Sequence, residues 1–338
     1  MIYLIQTVYL DAVIKPMGDG STRPILVSCD DGNTYILKNE RIDHNLNITN
    51  YNCMFLNEAL SYLIAKFLSV PIPESVIINV DEDFMVYDPA LKFSYRCKEG
   101  LYFGSRELKY VDNNLLENHR ILKQMGKKYL NNSWKNFFKG LENNDDLAKI
   151  IAYDLFISNF DRYTNEGNIL VTNNDKKSIY AIDHGHAFWG ASWNENKING
   201  LNLVQANQNY IDYYLNFTHS LNGIEIDQKR IFNFDNLGII FDAMQNSISL
   251  QNLEMHPFKD IVFNIESITE ELLDTWFSCI PSKWYIDKNF QIAIFKNYIL
   301  KQKDLIRYFI QRLVDRNAFS NYLGGSLLWK EKDCGTAL

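Results

Sequence analysis

The sequence predicts an α+β fold with a small β-rich N-terminal lobe over residues 1–98 and a larger, mainly helical C-terminal lobe over residues 99–338. Three observations predict this fold. Short β-prone runs joined by glycine-containing turns fill the first part of the chain, their β-rich character fades between residues 84 and 98, and amphipathic helical patterns dominate from Leu115 onward. A chain of 338 residues, 46% of them apolar, is long enough to give two such lobes a sizeable core.

Composition excludes several classes of protein. With 41 acidic and 34 basic residues the net charge is −7, which argues against broad electrostatic binding to nucleic acid or to an anionic membrane. The five cysteines are widely spaced and include no C-x-x-C pair, so neither a disulfide framework nor a structural zinc site is predicted. No run reaches the roughly 18 apolar residues of a membrane helix, and the first residues lack a basic leader. We therefore expect a cytoplasmic protein that binds neither membranes nor nucleic acid directly.

The first three predicted strands, over residues 12–14, 25–28 and 34–37, place a lysine beside a glycine-containing loop. A hairpin turn around Asp31 and Gly32 sets Lys38 opposite Pro24 or Ile25. The adjoining loop contains Gly18, Asp19, Gly20, Ser21 and Thr22. Glycines let backbone N–H groups approach phosphates, and a lysine ammonium supplies the positive charge that holds them. The pattern predicts a nucleotide-phosphate site, although it is not a Walker motif and a plain flexible turn with a solvated lysine is the alternative.

The next predicted element is a helix over Cys53–Leu68 that carries an acid on a partly apolar side. Its apolar stripe includes Leu56, Leu60 and Leu63, and Glu58 lies off that stripe. A glutamate in such surroundings needs a partner, and pairing with Lys38 would orient the lysine toward a phosphate. The alternative is an ordinary surface glutamate. We predict that Glu58 belongs to the nucleotide-binding group.

A second predicted hairpin gathers potential metal ligands beside a potential base. β-Prone runs over residues 169–172 and 178–182 flank a turn near Asp175, which places Asn168 opposite Ile182 or Asp183. An amide and a carboxylate oxygen are suitable ligands for Mg²⁺, and Asp161 lies just upstream, where it can face the same hairpin mouth. The alternative is an Asn-rich turn with capping side chains. The three residues together favour a phosphotransferase, with Asp161 as catalytic base.

A further helix is predicted in the C-terminal lobe over Asp145–Phe160, and a long helical C-terminal portion includes Gln291–Val314. The first carries Asp154 on its core-facing side, where we expect a structural hydrogen bond to nearby loop backbone. His184 and His186 follow Asp183, but no third ligand is evident, so a transition-metal site is not predicted.

Read in order, these motifs resemble the HipA-like kinases, which are relatives of the bacterial HipA toxin kinase and, more remotely, of the phosphatidylinositol kinases. The resemblance covers roughly residues 17–188 and rests on G-D-G-S-T-R-P, D-G-N-T-Y-I-L-K, N-E-A-L, G-L-Y-F-G-S, N-F-D-R with G-N-I-L, and I-D-H-G-H-A-F. It implies a bilobal protein-kinase-like fold. It also implies an ATP- and Mg²⁺-dependent kinase that transfers the γ-phosphoryl group to a hydroxyl, with the Ser or Thr of a protein as the first candidate acceptor. By the same resemblance Lys38 binds ATP phosphates, residues 18–22 cover them, Asp161 orients or deprotonates the acceptor, and Asn168 and Asp183 hold Mg²⁺.

The sequence departs from the family pattern at two places. The family usually places its metal-binding amide five residues after the catalytic aspartate, whereas here Glu166 occupies that position and Asn168 comes two residues later. The G-N-I-L context favours Asn168, and Asn165 is the competing candidate. The small domain that precedes the phosphate loop in HipA has no room in this sequence, so a DNA-binding antitoxin partner is not implied.

The sequence leaves the acceptor and the final activity open. A small molecule or a lipid headgroup is the alternative acceptor, and nucleotidyl transfer is a further variant of the chemistry. The alternative without catalysis is a nucleotide-binding pseudokinase or interaction module. The retained lysine, base and metal ligands argue against that alternative.

Overall fold

The computed structural model describes residues 4–17, 24–44, 47–88, 91, 97–112, 125–126, 137–163, 168–221 and 237–331. Two predicted groups lie outside these residues. One is the glycine-containing loop of Gly18, Asp19, Gly20, Ser21 and Thr22, and the other is the pair Asn165 and Glu166.

The strands of the described chain lie mainly in its N-terminal part. In chain order they are β1 Gln6–Pro16, β2 Ile25–Cys29, β3 Thr34–Leu37, β4 Arg41–His44, β5 Asn47–Asn50, β6 Ser75–Val80, β7 Gly100–Arg106, β8 Ile169–Asn173 and β9 Lys177–Ala181. Five of them close into a barrel in the order β1-β2-β3-β7-β6, in which β1 and β6 are parallel and the other neighbours antiparallel. The remaining four form two separate hairpins, β4-β5 and β8-β9.

The predicted hairpins are confirmed, and the predicted end of the β-rich part is corrected. Gly32 adopts a left-handed conformation with φ +76° in the turn between β2 and β3, which glycine accommodates without steric cost. Strand β7 begins at Gly100, after the predicted boundary at residue 98, and pairs with β3 and β6. The β-rich part therefore extends further along the chain, because the partners that make this segment a strand are distant in sequence.

The C-terminal part is mainly helical, as predicted for an α+β fold. In chain order the helices are α1 Met54–Leu68, α2 Glu82–Tyr87, α3 Asp146–Ile157, α4 Glu195–Asn202, α5 Gln208–Leu221, α6 Ile239–Met244, α7 Phe258–Glu266, α8 Glu270–Ser278, α9 Lys288–Gln302 and α10 Ile306–Asp315. None of these helices in the described chain is both long enough and apolar enough to cross a membrane.

The helical pattern of the sequence misses two helix ends. Helix α3 ends at Ile157 and not at Phe160, because Ser158 turns to a left-handed conformation with φ 53°. The helical portion predicted over Gln291–Val314 is confirmed, and it consists of two helices, α9 and α10, separated by a 3-10 turn at Lys303–Leu305. In both cases the apolar pattern continues through the break, so periodicity alone does not reveal it.

Helix α1 is buried on nearly every side, between strand β7 and helices α3, α7 and α8. A helix in such a position must be apolar all round, and most of α1 is. Its polar residues Asn57, Glu58 and Ser61 are almost completely buried as well. Asn57 and Glu58 have hydrogen-bond partners and so fix what can lie against α1, whereas the Ser61 hydroxyl has none among the described residues.

The start of α1 is capped by a side chain from outside the helix. Cys53 at the N-cap position provides no side-chain hydrogen bond, and the first turn contains no acidic residue. Instead the backbone N–H of Phe55 donates to Oε1 of Glu40 at 3.3 Å. Burial raises the pKa of Glu40 from 4.5 to about 7, although the Phe55 hydrogen bond opposes this shift. The folded protein thus binds a proton at Glu40 more readily than the unfolded chain does.

We expect replacement of Glu40 by Gln to stabilise the protein more at pH 8 than at pH 5. Because the folded pKa of Glu40 is raised, its contribution to stability falls as pH rises from about 4.5 through 7. Glutamine keeps an oxygen for the Phe55 N–H group and removes the buried charge. Thermal unfolding of both proteins at the two pH values checks this; an equal difference in midpoint at both would contradict it.

Candidate active site

Lys38 lies at the end of β3 and joins two carboxylates from distant parts of the chain. Its backbone N–H donates to the Phe103 carbonyl oxygen of β7 at 3.1 Å, and the β2–β3 register puts it opposite Pro24, as predicted. The Nζ atom contacts the carboxylate of Glu58 in α1 and lies 3.0 Å from Oδ1 of Asp183. The predicted contact with Glu58 is present, and the lysine links the barrel to the segment after β9.

Glu58 is 2% exposed and is held by Lys38 and by His184. The backbone N–H of His184 donates to Oε1 at 3.1 Å, and Nδ1 of its ring lies 3.8 Å from Oε2. Burial by itself would raise the pKa of Glu58, but the attraction of Lys38 outweighs it and lowers the pKa. Burial also lowers the pKa of His184, whose ring packs edge-on against Tyr153. Sequence reasoning considered His184 only as a metal ligand and missed this backbone contact.

Asp183 follows β9 in a left-handed conformation with φ 61°. A residue other than glycine rarely adopts this conformation, and such residues concentrate at functional sites. The side chain is 46% exposed, so it is open to a ligand. Burial by itself would raise the pKa of Asp183, but the ion pair with Lys38 dominates and holds this pKa well below its usual range. Asp183 is therefore a charged carboxylate throughout the neutral pH range.

The β8-β9 hairpin places Asn168 as the sequence predicts. Ile169 pairs with Ala181, so Asn168 lies opposite Ile182, whose N–H donates to the Asn168 carbonyl oxygen at 3.1 Å. The side-chain Nδ2 of Asn168 donates to Oδ2 of Asp161 at 3.1 Å. Because the amide nitrogen is engaged in this way, the amide oxygen is the atom that could bind a cation.

Asp161 combines a hydrogen-bonded oxygen with one that has no donor. Its Oδ1 atom is buried and accepts no hydrogen bond within the described residues. Burial and, next, the negative charge of Asp183 raise the pKa of Asp161, while His186, Arg162 and Asn168 oppose the shift. Buried acceptors normally have a hydrogen-bond donor, so this oxygen is a candidate acceptor at the site.

Arg162 holds the two ends of the β8-β9 hairpin together, and the sequence pattern did not indicate this role. The side chain is fully buried, with Nε 2.6 Å from Oδ2 of Asp154. Its Nη1 donates to the carbonyl oxygens of Asn168 and Ile182 at 2.5 and 2.8 Å. One guanidinium therefore fixes the backbone at the two ends of the hairpin. The signal in the sequence was a core-facing acid eight residues before an arginine.

Asp154 is structural, but its partners differ from the expectation. We expected a hydrogen bond to loop backbone, whereas its carboxylate accepts from Asn159, Arg162 and Tyr163 side chains at 3.2, 2.6 and 3.0 Å. The three donors lie on both sides of Asp161, in the segment that follows α3. The ion pair forms because a buried arginine requires a buried acid nearby.

Gly185 allows α1 to approach the segment after Asp183. A Cβ atom at this position would lie 2.6 Å from Cγ of Met54 and 3.4 Å from Oε1 of Glu58. The first distance is shorter than packed side chains tolerate, so this contact requires glycine. The close approach brings Glu58 within reach of the His184 N–H group.

The donor set fits Mg²⁺, which binds one or two protein oxygens together with water and phosphate. Asn168 and Asp183 could hold such an ion, and Lys38 could hold phosphate. Within the described ranges no three His, Cys, Asp or Glu side chains are grouped closely enough to hold a metal ion. The choice between Asn165 and Asn168 stays open, because Asn165 lies outside the described residues.

Comparison with known proteins bears on the N-terminal half of this site. A family model described as HipA-like kinase matches residues 10–134. The predicted resemblance to HipA-like kinases is confirmed over these residues. They include Lys38 and Glu58, and the match supports phosphotransfer in general. No curated protein sequence matches the chain.

Among solved structures, the crystal structure of the Helicobacter pylori proinflammatory kinase CtkA is similar to this chain. The two share 13% sequence identity with a TM-score of 0.47. The alignment covers 95% of this chain and 100% of that one.

We expect Arg162→Met to lower the free energy of unfolding by about 3–5 kcal/mol, because it leaves the Asp154 carboxylate buried without its cation. Denaturant unfolding measures this change. The matched control is Lys176→Ala, which removes an exposed ion pair with Glu142 and should cost less than about 1 kcal/mol. Similar small costs for both variants would show that the buried pair does not support the hairpin.

Proposed function

We propose that this protein is an ATP- and Mg²⁺-dependent kinase that transfers the γ-phosphoryl group to a hydroxyl of a protein Ser or Thr. The observation that carries the proposal is the convergence on Lys38: its ammonium contacts Glu58 and lies 3.0 Å from Asp183. Asp161 interacts electrostatically with Asp183 and keeps a buried oxygen for a ligand. The proposal thus assigns phosphate binding, metal binding and proton removal to one connected group of side chains.

In this proposal the barrel region and the helical region are the two lobes of a kinase. Besides the contacts of Lys38 and Glu58, further hydrogen bonds join them. The Ala181 N–H donates to the Pro71 carbonyl oxygen at 2.8 Å, and Nε1 of Trp284 donates to the Leu101 carbonyl oxygen at 3.0 Å. These contacts support a fixed relation between the lysine and the metal-binding segment.

Each residue then has a separate role. Lys38 neutralises charge on the nucleotide phosphates, and Glu58 keeps the ammonium in place. Asn168 and Asp183 would hold the magnesium ion, which when bound neutralises charge on the transferred group. Positioning and charge neutralisation supply most of the catalysis in this chemistry.

Asp161 would align the acceptor and remove its proton. The hydroxyl hydrogen passes to Oδ1 of Asp161 as the hydroxyl oxygen bonds to the γ-phosphorus, and the bond to the leaving oxygen of ADP breaks. The raised pKa of Asp161 favours this role, because it increases the proton affinity of the carboxylate relative to an exposed aspartate.

Labelling with radioactive ATP and Mg²⁺ tests the proposal. We expect label from γ-³²P-ATP on protein Ser or Thr, and none from α-³²P-ATP. Asp161→Asn keeps the shape of the side chain and should slow transfer on the order of 10²- to 10⁴-fold. Lys38→Met and removal of Mg²⁺ should abolish labelling, and Lys176→Ala should match the wild type.

Other outcomes separate the alternatives. Equal labelling by wild type and Asp161→Asn would remove Asp161 from its role. Label from α-³²P-ATP would indicate nucleotidyl transfer, and label confined to added small molecules or lipid headgroups would replace the protein acceptor. Thermal stabilisation by ATP and Mg²⁺ without turnover on any acceptor would indicate a nucleotide sensor.

A further inference from the structure

The segment that follows Asp183 makes a cage of backbone carbonyl oxygens. Phe188 and Trp189 are both left-handed, with φ 54° and 67°. The carbonyl oxygens of Ala187, Phe188 and Gly190 converge on one atom, Nζ of Lys197, at 3.3, 2.6 and 2.7 Å. A buried carbonyl oxygen needs a hydrogen-bond donor, and the Lys197 ammonium is the donor for all three.

Lys197 lies on α4, is fully buried and has no carboxylate partner among the described residues. Its fourth acceptor is Oδ1 of Asn57 at 3.1 Å, and the Phe295 ring lies 5.3 Å from Nζ. Burial lowers the pKa of Lys197 to about 8, so the ammonium still predominates at pH 7. A buried cation is costly unless polar atoms replace its water, and the cage provides those atoms.

Asn57 connects this cage to the helix that carries Glu58. Its Nδ2 donates to the carbonyl oxygens of Gly185 and Gly190 at 2.7 and 3.0 Å, while its Oδ1 accepts from Lys197. All the hydrogen-bonding capacity of the side chain is used. Asn57 and Glu58 are neighbours in α1, and Gly185 lies two residues after Asp183. The contact therefore spans the junction between the lysine–glutamate pair and the metal-binding carboxylate.

We propose that Lys197 and Asn57 are positioning residues that lock residues 185–190 against α1 and so hold Asp183 beside Lys38 and Glu58. The inference rests on the proposed function for its effect on rate. Neither residue touches the reacting atoms, and the site residues reach each other only if α1 and the segment after Asp183 keep one relative position.

Two variants break the lock in different ways. Lys197→Met keeps the length of the side chain and removes the ammonium. Asn57→Asp keeps an acceptor for Lys197 but removes the two N–H donors to Gly185 and Gly190. For both we expect kcat to fall on the order of 10²-fold and the Mg²⁺ concentration for half-maximal rate to rise, with little change in KM for the acceptor.

The control is Lys296→Met. In the wild type Lys296 pairs with the exposed acids Glu270 and Asp274 on α8 and has no ion pair with a described residue of the site. The variant should leave kcat and the Mg²⁺ requirement unchanged. Unfolding midpoints of all variants set an assay temperature at which each is folded. If Lys197→Met does not fold, Asn57→Asp carries the test. Folded Asn57→Asp with wild-type kcat and Mg²⁺ requirement would overturn the inference.

Amide hydrogen exchange without nucleotide separates this inference from the proposed function. We expect Asn57→Asp to speed exchange both in residues 184–190 and in α1, and Lys296→Met to speed it in neither. Faster exchange in only one of the two segments would show that they are not coupled, and the inference would be wrong. If the wild type lacks phosphotransfer while Asn57→Asp speeds exchange in both segments, the proposed function alone is contradicted.

Discussion

Burial of one carboxylate, that of Glu58, organises the site. Helix α1 is enclosed on almost every side, so an ionised side chain within it is tolerated only if a cation and hydrogen-bond donors lie against it. Lys38 and the His184 N–H group meet this requirement. Because Lys38 also reaches Asp183, satisfying one buried charge brings together β3, α1 and the segment after β9. The residues proposed for phosphate and metal binding thus lie together for a reason of stability as well as of chemistry.

Among the described residues, three cations with little or no exposure hold this region, and each has a different kind of partner. Lys38 faces two carboxylates, Arg162 faces one carboxylate and two carbonyl oxygens, and Lys197 faces carbonyl and amide oxygens only. Lys38 faces only carboxylates and sets the charge at the site proposed for phosphotransfer. Arg162 and Lys197 face carbonyl oxygens and fix the path of the backbone on either side of that site.

Asp161 and Asp183 differ in electrostatic environment. Burial and the charge of Asp183 raise the pKa of Asp161, whereas Lys38 lowers the pKa of Asp183. Two neighbouring carboxylates with opposite shifts suit different tasks, one as a proton acceptor and one as a permanent anion for a cation. The same lysine that anchors Glu58 therefore also moves the pKa values of the two aspartates apart.

The sequence by itself determined the α+β class, the β2-β3 and β8-β9 hairpins, helix α1 and the opposition of Asn168 and Ile182, because periodicity and turn residues act over short distances. It also indicated the partner of Glu58, since an acid on an apolar helix face requires a cation. Only the tertiary structure decided that β7 completes the barrel, that Arg162 braces the hairpin and that Lys197 binds three carbonyl oxygens. Some of these contacts join residues far apart in the chain, and others use backbone groups, which every residue has. The residue types in the sequence therefore do not indicate them.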